Sequence, residues 1–228
     1  MSKPVIVSLE GNIGSGKSTL LEKLRQNFTN EKTWVFLQEP VDIWAEIKDS
    51  VGETMLSKFY KDPSKYAFAF QIMAYTTRLH MLKKLIKENP ECTLVICERS
   101  LEADKHIFAK MLHDDGTIED VMYQIYERFF AEYEEMFSLN SVIYIRADPE
   151  ICHERIMKRS RTGESNIPLE YLKRCDDYHE EWLRENKNIK VFKIDTAANA
   201  TFDHADPEDP GNKWIDLIKN ILMFHLDN

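Results

Sequence analysis

The segment that most constrains this chain is Gly11-Asn-Ile-Gly14-Ser-Gly16-Lys17-Ser18. It fits G-x-x-x-x-G-K-[ST], a pattern that forms a phosphate cradle where a strand ends and a helix begins. Both conditions hold: the apolar run Val5–Leu9 precedes it and the amphipathic stretch Ser18–Asn27 follows. The glycines let successive backbone N–H groups curl around phosphate oxygens, and the helix amino terminus adds partial positive charge. Gly11, Asn12, Ile13, Gly14, Ser15, Gly16, Lys17, Ser18 and Thr19 are therefore expected to hold a nucleoside triphosphate. Lys17 would reach the β- and γ-phosphates, and the Ser18 hydroxyl would meet Mg2+.

The rest of the chain repeats this strand–helix alternation. Short apolar runs recur at Trp34–Leu37, Leu94–Cys97, Val142–Ile145 and Val191–Ile194. Each is too short for a helix and lacks clean alternation, as in strands buried on both faces. Helical patterns lie between them at Ser64–Glu88, Leu101–Leu112, Ile118–Phe137, Pro149–Lys158 and Pro168–Glu185. Asp148-Pro149 offers an N-cap followed by a proline at the first helical position. Thr196–Gly211 reads as irregular, because Asp, Pro, Asn and Ala crowd together there. The expectation is an α/β chain of one domain, 1–228, with a five-stranded parallel sheet covered by helices on both faces.

In an open parallel sheet the carboxyl ends of the strands line one crevice. Glu39, Glu98 and Arg99 follow predicted strands and should face the γ-phosphate region, although each alone could be a solvated loop residue. A carboxylate there is ionised at neutral pH and can accept the proton of an attacking hydroxyl. Arg155 and Arg159 lie four apart on one helix face, with Lys158 and Arg161 beside them. They read either as a basic lid at about 155–166 or as cations offsetting the helix dipole. Glu164 would let the same lid reach the acceptor.

Composition limits the partners. Lys+Arg number 30 against 39 Asp+Glu, a formal charge of −9, so the chain repels polyanions in bulk and no nucleic-acid binding is expected. No run of 18 apolar residues exists and the first ten residues do not read as a signal peptide, so no membrane partner and a cytoplasmic setting are expected, although a processed organellar form would read the same. The four cysteines form no C-x-x-C pair, which gives no support to a structural zinc or a redox couple.

Six motifs in order make the chain resemble the deoxyribonucleoside kinases of the deoxycytidine/deoxyguanosine/deoxyadenosine kinase type, from Val5 to about Trp182. They are Glu10-Gly-Asn-Ile-Gly-Ser-Gly-Lys-Ser-Thr19, Glu39-Pro-Val-Asp-Ile-Trp44, Phe68-Ala-Phe-Gln71, Glu98-Arg-Ser-Leu-Glu-Ala-Asp104, Arg155-Ile-Met-Lys-Arg-Ser-Arg161 and Ile167-Pro-Leu-Glu-Tyr-Leu172. The resemblance implies a P-loop kinase fold, an ATP donor with Mg2+, a deoxynucleoside acceptor, a role in nucleotide salvage and a homodimer built on the long helices. It implies Glu39 as general base for the sugar 5′-hydroxyl, Arg99 as the holder of that carboxylate and of the 5′-oxygen, and Ser18 with Glu98 at the Mg2+. Lys17 and the lid residues Arg155, Arg159 and Arg161 would grip donor phosphates. Tyr60 and Glu164 match the pair on the 3′-hydroxyl; Trp44, Leu56, Phe70 and Phe108 match the walls of a base pocket; and Gln71 matches the amide on the base edge.

Arg78 and Asp104 occupy the positions of a pair found in family members that take cytosine or purine bases. Asp104 could accept from an exocyclic amino group, which thymine lacks, so deoxycytidine, deoxyadenosine or deoxyguanosine is expected over thymidine. The same pair could simply pack two helices. Three features depart from the pattern: Phe59 stands where many members have Met and would narrow the pocket, Glu102 replaces an often aromatic residue, and Thr196–Gly211 aligns with no family loop. A thymidylate-kinase-like monophosphate kinase is the nearest rival, but Gln38 stands where that family carries an arginine for a charged acceptor. A non-catalytic accessory relative could lack the lysine, base or lid arginines, all of which are present.

Overall fold

The computed structural model describes residues 3–134, 136–159, 161, 164 and 167–225. Its strands are β1 (Val5–Glu10), β2 (Trp34–Leu37), β3 (Leu94–Glu98), β4 (Ser141–Arg146) and β5 (Lys190–Asp195), each within a residue of the expected run at either end. They form one parallel sheet in the order β2-β3-β1-β4-β5. Val7 of β1 sits in register with Ile96 on one side and Ser141 on the other.

Successive side chains of a strand point to opposite faces, and both faces here are covered. On one face Val7, Leu9, Ile96, Ile143 and Ile145 pack against Leu20 and Leu24 of α1 (Lys17–Asn27) and Ile215 and Ile218 of α10 (Pro210–Phe224). On the other, Ile6, Val95, Val142 and Tyr144 meet α4 (Pro63–Glu88) and α9 (Leu169–Glu185). They also meet a continuous helix made of α5 (Leu101–Ala103), a π-helical segment (Asp104–Ala109) and α6 (Lys110–Asp114). β1 therefore stands at the point where chain connections diverge to either side, and the carboxyl ends of β1, β2 and β3 open into one crevice.

Helices absent from the expected set shape that crevice. The short α2 (Val41–Glu46) and α3 (Met55–Lys61) follow β2, α3 being capped by Thr54, whose hydroxyl accepts from Ser57 N–H at 3.2 Å. The irregular stretch expected over Thr196–Gly211 ends at Asp209, because Asp209 caps Gly211 N–H and Pro210 opens α10. α7 (Asp120–Glu134) is shorter than its expected Ile118–Phe137. α8 (Pro149–Arg159) starts at the expected proline, and the Asp148 carboxylate just before it pairs with Arg146 at 2.6 Å. Among the described residues, no helix is long and apolar enough to cross a membrane.

Candidate active site

A cavity of about 360 Å³ runs from the phosphate loop into an aromatic slot between α2, α3, α4 and the π-helical segment. Its floor is made by backbone. Gly14 has φ +85°, and a Cβ there would lie 2.5 Å from the Cys152 carbonyl oxygen of α8; only glycine fits. Lys17 Nζ donates to the carbonyls of Gly11 at 3.0 Å and Asn12 at 2.8 Å. Burial, and next Arg99, pull the Lys17 ammonium down to about 8. An anionic ligand would relieve both costs. Among the described residues Ser15 Oγ is buried without a partner at this cradle. Gly11 and Asn12 lie beneath the lining, and Asn12 Nδ2 instead ties the loop to α9 through the Leu172 carbonyl at 2.7 Å. Ile13 and Thr19 line the cavity.

Ser18 Oγ donates to Glu98 Oε1 at 2.5 Å. A hydroxyl and a carboxylate at the cavity wall are the hard oxygen donors that suit Mg2+, which keeps most of its shell for water and phosphate oxygens. Among the described residues no three His, Cys, Asp or Glu side chains gather to cage a metal, so nucleotide oxygens would have to complete such a shell.

Glu39, just after β2, is the hub of the charged network. Its Oε1 accepts from Arg99 Nε and from Arg78 Nη2, both at 3.2 Å. Burial raises this carboxyl, but Arg99, then Arg78 and Lys17, outweigh it and hold it at about 2. Glu39 is therefore ionised at any working pH, with Oε2 left to accept a proton-bearing group. Arg99 is itself fixed from several sides: its backbone is left-handed at φ +68°, and its ring-facing side lies 4.5 Å from the Phe108 centroid. That backbone costs about 1–2 kcal/mol, and it is held by Arg99 N–H to Leu9 O at 3.0 Å and Ser100 N–H to Glu10 Oε1 at 2.7 Å. Glu10 is wholly buried, and burial raises its carboxyl against the pull of Arg99.

Arg78 also grips Asp104, Nε to Oδ2 at 2.9 Å and Nη2 to Oδ1 at 3.1 Å. Burial raises the Asp104 carboxyl while Arg78 opposes it; two well-made bonds to a guanidinium favour the ionic pair. Arg78 lies 5.6 Å from the Trp44 ring centroid, and Trp44 Nε1 is anchored on Thr77 Oγ1 at 2.9 Å. Leu56, Phe70 and Phe108 complete the apolar walls. Gln71 is buried at 1% exposure, and its Oε1 has no partner among the described residues; a buried unpaired amide oxygen is costly until a ligand donates to it. The expectation that Phe59 narrows this pocket fails. Phe59 stacks behind Phe70, centroids 4.6 Å apart and 5° from parallel, and does not reach the cavity. Glu102 also points elsewhere, its carboxyl pushed up to about 7 by burial.

Tyr60 and Glu164 both face the cavity. Burial, and next Glu164, push the Tyr60 phenol well above its ordinary value. Glu164 accepts from Arg159 and, at 3.1 Å, from Arg161. Arg155 turns to main-chain carbonyls, Thr196 O at 2.8 Å and Ala198 O at 3.1 Å. Of the expected lid, Ser160, Thr162, Gly163, Ser165 and Asn166 lie outside the described residues. Sequence reasoning missed Tyr171, Ala198, Phe202 and Trp214, all at the cavity wall. Tyr171 sits inside the Ile167–Leu172 motif; the others carry no local signal.

The sequence profile of the deoxynucleoside kinases matches residues 7–219. A probable deoxycytidine kinase of fowlpox virus (strain NVSL) is 35% identical over 221 residues, 96% of this chain and 87% of its own length. Deoxycytidine kinase 2 of Gallus gallus is 31% identical over 208 residues, 83% and 76% of the two chains. The mitochondrial deoxyguanosine kinase of Xenopus laevis is 29% identical over 204 residues, 82% and 76%.

Proposed function

The chain belongs to the deoxynucleoside kinase family, and we propose that it moves the γ-phosphate of Mg·ATP to the 5′-hydroxyl of deoxycytidine, deoxyadenosine or deoxyguanosine in preference to thymidine. One observation carries this reading: the doubly anchored Glu39 carboxylate stands between the phosphate loop and a slot holding Gln71, Arg78 and Asp104. Phosphoryl transfer needs positioning and charge stabilisation more than covalent help. Glu39 accepts the 5′-hydroxyl proton, and Arg99 fixes the carboxylate against the incoming oxygen. Ser18 and Glu98 would hold Mg2+, which would supply charge neutralisation to the donor phosphates. Lys17, Arg159 and Arg161 supply cations to the donor, the two arginines leaving Glu164, which with Tyr60 takes the 3′-hydroxyl. Gln71 reads the base edge, and Asp104 favours an exocyclic amino group over a carbonyl.

The names of the relatives, two deoxycytidine kinases and one deoxyguanosine kinase, support that base preference and a place in nucleotide salvage. A homodimer fits the exposed stripe Val121, Ile125 and Phe129, spaced four apart on α7; a monomeric sedimentation coefficient at micromolar chain would remove it. The test of the reaction is transfer from Mg·ATP to the four deoxynucleosides and to dTMP, ranked by kcat/KM. A cytosine or purine deoxynucleoside should lead, with dTMP inert. A lead for thymidine would sink the base preference, and a lead for dTMP the nucleoside acceptor.

A further inference from the structure

The guanidinium of Arg99 has one edge engaged and one edge open. Its Nε donates to Glu39 Oε1 at 3.2 Å and its Nη2 to the Gly11 carbonyl at 3.4 Å. Nη1 is buried and has no partner among the described residues. A buried donor left unpaired is costly, so its surroundings should hold an acceptor.

His179 of α9 has the complementary deficit. It is wholly buried, and its Nε2 has no partner among the described residues. Its ring stacks on Tyr144 of β4, centroids 5.9 Å apart, and meets Phe108 edge to face at 6.2 Å. Phe108 also lies under Arg99, whose guanidinium carbon is 4.5 Å from the ring centroid. The Gly11 carbonyl that accepts from Arg99 lies against the imidazole as well. Arg99 and His179 thus border the same carbonyl and the same ring, one with an unpaired N–H and the other with an unpaired nitrogen.

The proton on the imidazole is placed by its neighbours. Nδ1 stands 2.5 Å from the Cys175 carbonyl oxygen, one turn back on α9. Two lone pairs do not face each other at that distance, so Nδ1 carries the proton. Burial, and next Arg99, push the imidazolium down to about 3, so the ring is neutral. Nε2 is therefore a bare acceptor. A proton on Nε2 instead would suit Gly11 but leave the bare Nδ1 against Cys175.

We infer that His179 is a positioning residue for Arg99: its bare Nε2 accepts from Nη1, directly or across one water, and so fixes the guanidinium that aims Glu39. A water there would have Nη1, Nε2 and the Gly11 carbonyl as partners, enough to hold it. The geometry stands without the kinase reading. Only the effect on turnover rests on that reading, through Glu39 as the proposed proton acceptor.

Two measurements use the wild-type full chain. In a long-range proton–nitrogen correlation spectrum of histidine-labelled protein at neutral pH, His179 should be neutral with its proton on Nδ1. A high-resolution crystal structure should place Nη1 and Nε2 in hydrogen-bond contact or on one shared water. A proton on Nε2, or neither kind of contact, overturns the inference. Three substitutions test the consequence. His179→Gln carries an amide oxygen to the place of Nε2, His179→Asn reaches only Cys175, and His179→Phe keeps only the packing. The single-turnover rate with the best acceptor should stay within about threefold for the Gln variant and fall about tenfold for Asn and Phe. KM for ATP, and ADP affinity by calorimetry, should stay as in wild type in all three. A histidine that only fills core space predicts Phe at least as fast as Gln, and that ranking overturns the inference, as does a loss carried on KM for ATP. If the variants do not fold, the two wild-type measurements decide. A chain that shows the bare Nε2 on Arg99 but phosphorylates no deoxynucleoside would sink the kinase reading and leave this one standing.

Discussion

At the phosphate-loop end of the cavity the lining belongs to consecutive residues, Ile13 to Thr19, in a loop pattern whose backbone N–H groups are expected to meet phosphate. At the slot end they are side chains carried by separate pieces of chain. Glu39 follows β2, Trp44 sits on α2, Tyr60 on α3, Gln71 and Arg78 on α4, and Asp104 and Phe108 on the π-helical segment. The two ends differ in what can be changed. A backbone cradle is fixed by φ and by the absence of Cβ atoms, so it is nearly all-or-none. A slot of independent side chains can lose one function and keep the rest, and there selectivity is adjustable.

The sharpest way to separate the ends is Glu39→Gln. It removes the proton acceptor at the slot end without touching the cradle, so kcat should fall by about 10²–10⁴ while ADP affinity by calorimetry stays as in wild type. Near-normal turnover would take Glu39 out of the mechanism. The converse is Gly14→Ala, whose new Cβ would meet the Cys152 carbonyl at 2.5 Å on a backbone of φ +85°. Donor affinity should drop by roughly ten- to hundredfold, as expected from a strain cost of about 1–3 kcal/mol. Acceptor binding, read by quenching of the Trp44 environment, should persist. Equal loss of both would mean that the two ends are one mechanical unit.

The same contrast explains how much of the molecule could be read in the chain itself. The phosphate loop was legible because its signal is contiguous and its flanks carry strand and helix patterns. β1, β3 and β4 were legible because burial on both faces leaves near-continuous apolar runs, whereas β5 is a largely exposed edge strand whose run is interrupted by Lys193, so the expectation of burial on both faces fails there. α2 and α3 were not legible, being too short for a helical period to show. α10 was hidden by the polar stretch before it, although Asp209-Pro210 is the same cap-and-proline signal as Asp148-Pro149. At the slot end, only resemblance could bring Glu39, Arg78 and Asp104 to one place, since no spacing relates residues on separate elements. Glu10 shows the residue of that problem. It opens the first motif, yet its task, holding the Ser100 N–H and so the left-handed turn at Arg99, exists only in three dimensions. Phe59 failed in the other direction, because alignment gives a position but not which side of Phe70 it occupies.

Arg78 is where the adjustable end can be pushed with the smallest step, because it holds both Asp104 and Glu39, the residues we propose to read the base and to accept the proton. Arg78→Met with Asp104→Ala removes both charges of a buried pair, which avoids the penalty of about 3–5 kcal/mol for stranding one of them. The double variant should shift the thymidine-to-deoxycytidine ratio of kcat/KM towards thymidine by about tenfold, the equivalent of one good polar contact. A purely structural pair would leave that ratio alone. A second readout follows from the Glu39 carboxyl, which Arg99 and Arg78 hold at about 2 against an ordinary 4.5. Its depressed folded value means that it stabilises the fold above the unfolded pKa, and that this contribution is lost as pH falls from about 4.5 towards 2. Without Arg78 the carboxyl titrates higher, so the acid limb of kcat/KM should move up in pH and the acid-side stability window should narrow. An acid limb that stays in place would show that Arg99 alone sets the charge of Glu39, and that base reading and proton transfer are independent even within the slot.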